Sequence, residues 1–400
     1  MEIKPPSDNT AAQRNPSLEQ AIDFSQSVDP AQVDLLPEKI SQLRARFNTQ
    51  IESGLHPGAQ LVVLRHGQVV VDLFGGVTHR PGSPPVQPGT VFLTFSVAKP
   101  FTGMCAHHLV ERGLLALDAP VADYWPEFAA GGKQAATIRH VLSHRAGIPS
   151  RGLVKQVPLW RDWTRVSANV AGLEAEFPPG EKSIYHTVNY GFILGELVRR
   201  VSGMPVDEYL RRYFLEPLGM DDTDLKESDS LRGRTTGLYL GHAQQFLAWL
   251  AFSLPRIRCA LVPAATLFSS ARDLAVFYQM LLNGGFYGGR RYLQPDTIRQ
   301  ATGLNFDGWD PVQRRPMRRA LGFQLGGLAR GEVGEPTFFG KDSSLDTFGH
   351  AGQGTCIAWA DRHSALVFAF TCNRMLKSDD AWSRARALAN LLWEAEAPPH

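Results

Sequence analysis

The segment 95–103, which reads FSVAKPFTG, places Ser96 three residues before Lys99. On a helix, positions i and i+3 lie on one face, so the lysine amine can reach the serine hydroxyl. A serine hydroxyl becomes a nucleophile when a neighbouring base takes its proton, and burial lowers the pKa of a lysine so that its amine can be that base. The helix expected over 101–111 is apolar on most sides, which favours a partly buried Lys99. The pair predicts an acyl-enzyme, although such a tetrad alone also occurs as a helix cap followed by a solvated lysine.

The apolar pattern predicts the elements that must position this pair. A helix over 35–53 precedes two β-branched runs, 59–64 and 69–74, which predict a hairpin. Further helices are predicted over 138–143, 188–201, 206–214, 274–282 and 381–395, and further strands over 321–328, 337–339, 355–360 and 365–371. A mainly helical region therefore interrupts a region of sheet.

One further segment, 244–254, is strongly apolar and contains Phe246, Trp249 and Phe252. It is too short to span a membrane, and it could wall a ligand pocket. The interpretation that we favour is an ordinary core helix.

The composition is that of a globular protein that acts on small molecules. Hydrophobic residues make up 44% of the 400 residues and charged residues 20%, and the length allows about two domains. Lys plus Arg number 41 and Asp plus Glu number 39, so the net charge of +2 is too small to favour a nucleic-acid partner. The densest basic run, Arg314, Arg315, Arg318 and Arg319, flanks a proline and is predicted to be a solvated loop. The sequence does not predict the oligomeric state.

The N-terminal residues 1–16 are polar and lack the apolar core of a signal peptide, and no run approaches the ~20 apolar residues of a membrane span. We therefore expect a cytoplasmic protein without membrane contact and with a disordered segment over 1–17.

Cysteines and histidines give no clear metal site. The four cysteines, which are widely scattered, are predicted to be reduced core residues. His140 and His144 have the spacing of ligands on a helix, but no third ligand is apparent, and a structural role is favoured. Neither a metal nor a cofactor is expected. The cysteines are Cys105, Cys259, Cys356 and Cys372.

Five motifs follow one another in a particular order. They are SVAK at 96–99, IRHVLSHRAG at 138–147, YHTVNYG at 185–191, ATLFSSARDL at 265–274 and GHAGQG at 349–354. Each is weak alone, but in this order the sequence resembles the serine β-lactamase and penicillin-binding-protein-like superfamily. Within it, the chain is similar to class C β-lactamases and especially to family VIII carboxylesterases.

The resemblance spans roughly residues 37–395 and implies an α/β (α+β) fold of the β-lactamase-like type. In that fold an antiparallel sheet flanked by helices forms one domain, here assigned to 18–95 and 264–400. A mainly helical domain, here 96–263, forms the other, and the active site lies between the two.

The resemblance also implies that Tyr185 faces Ser96 and Lys99. A phenolate beside a lysine ammonium could take the serine proton and return it to the leaving alkoxide. Because the pKa of a free tyrosine is about 10, the phenolate would need the charge of Lys99 nearby. The sequence does not decide whether Lys99 or Tyr185 is the formal base.

An oxyanion hole is implied in the same way, with the backbone N–H groups of Ser96 and Gln353 as donors. Such donors are worth ~3 kcal/mol each in the transition state. Gly352, on the strand that edges the site, would let the backbone approach the substrate closely.

Two positions depart from the β-lactamase pattern. Thr187 stands where an asparagine holds the amide side chain of the drug, and His350 stands where a lysine pairs with its carboxylate. A histidine is largely neutral at pH 7. Both differences remove anchors for an anionic β-lactam and leave the acyl-transfer residues in place.

These observations predict a serine carboxylesterase that hydrolyses short- to medium-chain carboxylic esters. One alternative is a class C-like β-lactamase or a D-amino-acid amidase or peptidase, for which cephalosporins would be better substrates than esters. Others are an acyltransferase and a non-catalytic binding protein of the same fold. The intact tetrad and tyrosine weigh against the binding protein.

Overall fold

The structure is a computed structural model that describes residues 20–149, 156–327 and 338–396. The segment predicted to be disordered, 1–17, lies outside the described residues. Within the described ranges, no helix is both long enough and apolar enough to cross a membrane.

The main sheet has eight antiparallel strands. They are β1 (Gly58–Arg65), β2 (Gln68–Gly76), β8 (Phe306–Asp310), β9 (Arg315–Arg319), β10 (Gln324–Leu325), β11 (Thr347–Gly352), β12 (Cys356–Asp361) and β13 (Leu366–Cys372). Their order across the sheet is β2-β1-β13-β12-β11-β10-β9-β8. Short strands pair outside it: β3 (Phe92–Leu93) with β5 (Phe268–Ser269), β4 (Tyr239–Leu240) with β14 (Arg374–Met375), and β6 (Phe286–Tyr287) with β7 (Arg290–Arg291).

Twelve α-helical segments occur in the described ranges. They are α1 (Pro37–Glu52), α2 (Ala98–Glu111), α3 (Ile138–Leu142), α4 (Trp163–Gly172), α5 (Asn189–Ser202), α6 (Val206–Leu210), α7 (Glu216–Leu218), α8 (Phe246–Ser253), α9 (Pro255–Arg258), α10 (Ala271–Leu282), α11 (Pro295–Thr302) and α12 (Ser378–Trp393). A π-helical turn, Arg211–Leu215, joins α6 to α7.

Helices cover both faces of the sheet. Alternate residues of a strand point to opposite faces, so Leu61 and Val63 of β1 join one core cluster while Val62 and Leu64 join the other. Helices α1 and α12 supply the first cluster, and α10 packs against β1, β12 and β13 from the other side. Because both faces are buried, the central strands β1, β12 and β13 are mostly apolar in sequence.

The predicted hairpin and most predicted helices are confirmed. Strands β1 and β2 pair with Arg65 opposite Gln68, and His66 and Gly67 form the turn with φ of 51° and 77°. Positive φ at both turn residues is typical of the two-residue hairpin turns that match the twist of the strands.

Three predictions about elements are wrong. The basic run is no solvated loop, since Arg315–Arg319 is strand β9 and Arg319 is buried. No strand covers Phe338 and Phe339, which form a turn, and residue 337 lies outside the described ranges. The strand expected over 321–328 is limited to Gln324–Leu325, with 328 also outside.

Helix α8 within the segment 244–254 is not a core helix either. Phe246, Leu247 and Leu250 are 46%, 62% and 43% exposed, whereas Phe252 is buried. The cysteine prediction holds for three of the four residues, because Cys259 is exposed.

Candidate active site

Ser96 lies in a short 3-10 turn, Phe95–Val97, that leads directly into α2. Phe95 has a φ of 49°, which a bulky side chain rarely adopts, so the turn is held by its surroundings. The Phe95 ring is buried edge-on against Phe252, at 5.0 Å between ring centroids, and Thr94 N donates to the Leu267 carbonyl at 2.8 Å. The turn leaves Ser96 half-buried at the start of the helix.

The Lys99 side chain is fully buried and reaches Ser96. Its Nζ is 3.2 Å from Ser96 Oγ, and it donates to the backbone carbonyls of Thr187 at 2.9 Å and Ala264 at 3.1 Å. Burial lowers the pKa of Lys99 well below its ordinary value. A neutral amine has two N–H groups for the two carbonyls and one lone pair, which is left for the Ser96 O–H.

Lys133 provides a contrast within the same chain. Its Nζ donates to three backbone carbonyls, those of Ala130, Ala171 and Leu173. Three acceptors match the three N–H groups of an ammonium. At Lys99 the third partner is the Ser96 hydroxyl instead of a third carbonyl. This partner fits a neutral amine that can accept the hydroxyl proton.

Tyr185 lies beside this pair. Lys99 Nζ is 4.7 Å from the centroid of its ring, and the residue is 8% exposed. Burial raises the pKa of Tyr185, and the neighbouring Ser96 side chain and Arg319 charge lower it only in part. These shifts favour a neutral phenol and a neutral amine, which is one of the two assignments of the base that the sequence left open.

His350 is buried on β11, with its ring centroid 6.3 Å from that of Tyr185. Its Nδ1 is 2.8 Å from the Ala351 carbonyl oxygen, and because a carbonyl only accepts, Nδ1 carries the proton. Burial, together with the positive charge of Lys99 where that group is protonated, lowers the pKa of His350 well below 6.5. The ring is therefore neutral and leaves Nε2 as an acceptor.

Gly352 brings the end of β11 against the segment before the nucleophile. A Cβ at Gly352 would lie 2.1 Å from the Thr94 carbonyl oxygen, and the Cys356 thiol donates to the same oxygen at 2.7 Å. The glycine is thus required for close packing of the protein on itself. Its role in the approach to substrate stays a prediction.

The other two predicted residues border the site differently. Gln353 is exposed, has a φ of 42°, and donates from Nε2 to Gln245 Oε1 at 2.9 Å. Thr187 is half-buried and contributes its carbonyl to Lys99. The roles of the Gln353 amide in an oxyanion hole and of the Thr187 side chain in substrate binding remain predictions.

Sequence reasoning missed a buried ion pair behind Tyr185. Arg319 Nη2 contacts Asp310 Oδ2, with 2% and 0% of the two side chains exposed, and the Tyr185 backbone N donates to the same Asp310 oxygen at 3.0 Å. The Asp310-Pro311 pair is a turn signal that could have indicated the β8–β9 hairpin. Strand β9 reads RPMRR and has no apolar alternation from which a strand could be predicted.

The two histidines considered as metal ligands do not converge. His140 Nδ1 accepts from Thr137 N at 3.3 Å at the start of α3. His144 Nδ1 accepts from His186 N at 3.2 Å, and its ring lies 4.7 Å from that of Tyr185. No cluster of three or more His, Cys, Asp or Glu suited to a metal occurs in the part of the chain that the structure describes.

Comparison with known proteins agrees with this fold. The family model described as Beta-lactamase matches residues 43–391. The chain is similar to the "Esterase/beta-lactamase LipL" of Mycobacterium tuberculosis, with 30% identity over 352 residues that cover 80% of this chain and 77% of that protein. It is similar in structure to a penicillin-binding protein homologue from Caulobacter crescentus, with a TM-score of 0.78, 30% identity, and coverage of 90% and 98% of the two chains. It is also similar to a family VIII carboxylesterase, with a TM-score of 0.74, 27% identity, and coverage of 89% and 98%. The chain therefore belongs to the beta-lactamase family and has the beta-lactamase-like fold.

Proposed function

We propose that this protein is a serine hydrolase that cleaves carboxylic esters of short to medium acyl chains. The observation that carries the proposal is the buried Lys99 amine, 3.2 Å from Ser96 Oγ and otherwise bonded to two carbonyls. An amine in this environment is a base for the serine hydroxyl at neutral pH. Similarity to a protein named an esterase and to a carboxylesterase structure supports an ester as the substrate.

In the acylation step, Ser96 Oγ attacks the ester carbonyl while Lys99 takes the hydroxyl proton. The amides of Ser96 and Gln353 stabilise the oxyanion of the tetrahedral intermediate. The bond to the alcohol then breaks. The neutral Tyr185 hydroxyl donates a proton to the leaving oxygen and regains one from the Lys99 ammonium. The products are the free alcohol and an acyl group on Ser96.

In the deacylation step, water attacks the acyl carbonyl and gives its proton to the same base. The bond to Ser96 Oγ breaks, the serine recovers its proton, and the carboxylic acid leaves. Both halves use the same groups, so a change at Tyr185 should slow both of them. No metal or cofactor takes part in the proposed cycle.

The substrate preference rests on His350 and Thr187. A neutral imidazole whose Nδ1–H is occupied by the Ala351 carbonyl cannot pair with a carboxylate as a lysine would. The binding of an ester without a carboxylate does not depend on such a pairing. We therefore expect anionic β-lactams to be poor substrates.

A second candidate is hydrolysis of a lactam or of a D-amino-acid amide. The observation that favours it is the structural similarity to a penicillin-binding protein homologue. Amide nitrogens need protonation on leaving more than alkoxides do, so the order of rates on amides and esters separates the two candidates.

The test is hydrolysis of p-nitrophenyl esters from acetate to decanoate beside a chromogenic cephalosporin, with wild type, Ser96→Ala and Lys99→Met. We expect ester cleavage that is lost in Ser96→Ala and reduced about 10²–10⁴-fold in Lys99→Met. Lys133→Met is the matched control, because it also removes a buried lysine, and its kcat per folded molecule should stay near that of wild type. Ester cleavage that survives in Ser96→Ala, or faster turnover of the cephalosporin, would contradict the proposal.

A further inference from the structure

The buried pair of Asp310 and Arg319 belongs to the β8–β9 hairpin at the far edge of the sheet, yet its hydrogen bonds go to the segment that carries Tyr185. Asp310 Oδ2 accepts from Tyr185 N at 3.0 Å, and Arg319 Nη1 donates to Ser183 Oγ at 2.9 Å. Ser183 Oγ in turn donates to the Ser143 carbonyl at 3.0 Å. The hairpin therefore holds the chain on both sides of residue 184.

The cation of this pair also faces the candidate catalytic groups. The Arg319 guanidinium carbon lies 5.9 Å from the centroid of the Tyr185 ring. Burial raises the pKa of Tyr185, which the Arg319 charge partly offsets, and burial lowers the pKa values of three nearby histidines, to which the Arg319 charge adds. The histidines are His144, His186 and His350.

Stability alone gives a weak reason for such a pair. Removing two charges from water costs about as much as their attraction returns, and apolar replacements of buried pairs are often neutral or stabilising. A role in positioning gives a stronger reason, because a shift of about 1 Å in a reacting group can cost 10²-fold in rate. Asp310 Oδ1 accepts from Val312 N at 2.7 Å and Gln313 N at 2.9 Å, which fixes the carboxylate itself within the hairpin turn.

We propose that Asp310 and Arg319 are positioning residues of the active site, which fix the Tyr185 backbone and ring so that its hydroxyl meets Ser96 and Lys99. The inference deepens the proposed function and rests on it for the role of Tyr185. Because their hydrogen bonds go to Tyr185 N and Ser183 Oγ, the effect passes through Tyr185.

The test compares two double variants, each of which removes both members of a buried ion pair and leaves no unpaired charge. Asp310→Asn/Arg319→Met removes the proposed positioning pair. Glu227→Gln/Arg258→Met removes a bidentate pair with contacts of 2.7 and 2.8 Å and side chains 12% and 10% exposed, and none of its hydrogen bonds goes to a proposed catalytic residue. Kinetics with p-nitrophenyl butyrate and thermal unfolding are measured for both.

In the first variant, kcat should fall about 10- to 100-fold while KM changes less than about 3-fold, because the loss is in the proton transfer rather than in binding. In the control, kcat should stay within about 2-fold of wild type even if its melting temperature falls equally. Arg319→Lys keeps the cation and should recover most of kcat. An unchanged kcat in the first variant, or equal losses in both variants, would overturn the inference.

Labelling of Ser96 by a fluorophosphonate gives a second readout that does not require ester turnover. In this reaction Ser96 Oγ forms a bond to phosphorus, fluoride leaves, and the hydroxyl proton goes to the base. Because fluoride leaves without a proton from Tyr185, the labelling rate should stay near that of wild type in both double variants, and the loss should appear in ester turnover alone. Normal labelling without ester hydrolysis in wild type would contradict the proposed function alone, whereas labelling of the first variant that falls as far as its kcat would reveal a damaged pair of Ser96 and Lys99 and contradict a role through Tyr185.

Discussion

At the scale of single residues, Lys99, Tyr185 and His350 have one property in common. Each is buried, and burial disfavours the charged form of each group, so the pKa falls for the lysine and histidine and rises for the tyrosine. These directions are consistent with the proposed proton transfer between neutral groups. In this state Lys99 is the stronger base of the pair.

The dependence of activity on pH should report the titration of Lys99. Below its lowered pKa the residue is an ammonium without a lone pair, so kcat/KM should fall as pH decreases through that pKa and level off above it. Tyr185→Phe should lower the plateau about 10²–10⁴-fold and leave the midpoint of the acid limb within about one pH unit. The measurement is kcat/KM on ethyl butyrate, whose alkoxide needs a proton to leave, followed by the release of ethanol from pH 5 to 9.

A different result would assign the base to the tyrosine. If Tyr185→Phe removes the acid limb, or moves it well beyond one unit, the ionisation belongs to the phenol. The matched change is Tyr190→Phe, since the Tyr190 hydroxyl donates to the Lys99 backbone carbonyl at 3.1 Å and does not contact Ser96. This variant should keep both the limb and most of the plateau.

At the scale of elements, the site depends on the contact between the end of β11 and the strained turn before α2. The Thr94 carbonyl accepts a hydrogen bond from the Cys356 thiol and lies where a Cβ of residue 352 would be. The two segments therefore pack too closely for any side chain at position 352. The same end of β11 leads to Gln353, whose amide is the second proposed oxyanion donor. A displacement of this strand end should therefore alter the chemistry as well as the packing.

Gly352→Ala tests that contact. A Cβ 2.1 Å from the Thr94 oxygen requires the backbone to move, so we expect lower stability, by roughly 1–3 kcal/mol, and a clear loss of kcat. Gly172→Ala is the matched control, because Gly172 is helical and has no atom within 4 Å of an added Cβ. It should change stability by less than about 1 kcal/mol, in the stabilising direction, and leave kcat intact. Denaturant unfolding and ester kinetics measure both, and full activity in Gly352→Ala would refute the oxyanion argument.

At the scale of the whole molecule, two apolar clusters lie on opposite faces of the sheet and serve different purposes. The cluster under α1 and α12 contains none of the candidate catalytic residues, whereas the other surrounds the turn before Ser96. The first should support the fold without tuning the chemistry. Stability and activity should therefore separate on this face.

Leu388→Ala measures that separation. Leu388 on α12 is fully buried in the first cluster, so its truncation should lower the free energy of unfolding by about 2–5 kcal/mol. The KM and kcat per folded molecule should be unchanged at temperatures where the variant is folded. Leu247→Ala on α8 is the control: its side chain is 62% exposed, and the change should stay within about 0.5 kcal/mol. If the activity per total protein of Leu388→Ala falls only as much as its folded fraction, the prediction is confirmed. Any larger loss of activity would show that this face is coupled to the site.

The order of motifs, through its resemblance to a known superfamily, predicted the family and the fold, which the comparisons confirm, and it supplied the catalytic candidates, which remain predictions. Periodicity also determined the hairpin of β1 and β2 and helices such as α5 and α10, because their apolar pattern and end signals agree. Neither inference depends on which segments distant in sequence contact one another in the folded chain.

Only the tertiary structure decided the features that depend on contacts between segments distant in sequence. The arginine run around Arg319 has the composition of a surface loop, yet its last residues are buried in strand β9, where Arg319 forms an ion pair with Asp310, nine positions earlier. The protonation states of Lys99 and Tyr185 depend on how many carbonyls and how much water surround them after folding. The outward face of α8 is apolar yet exposed, because burial is set by what packs on a helix and not by its own residues.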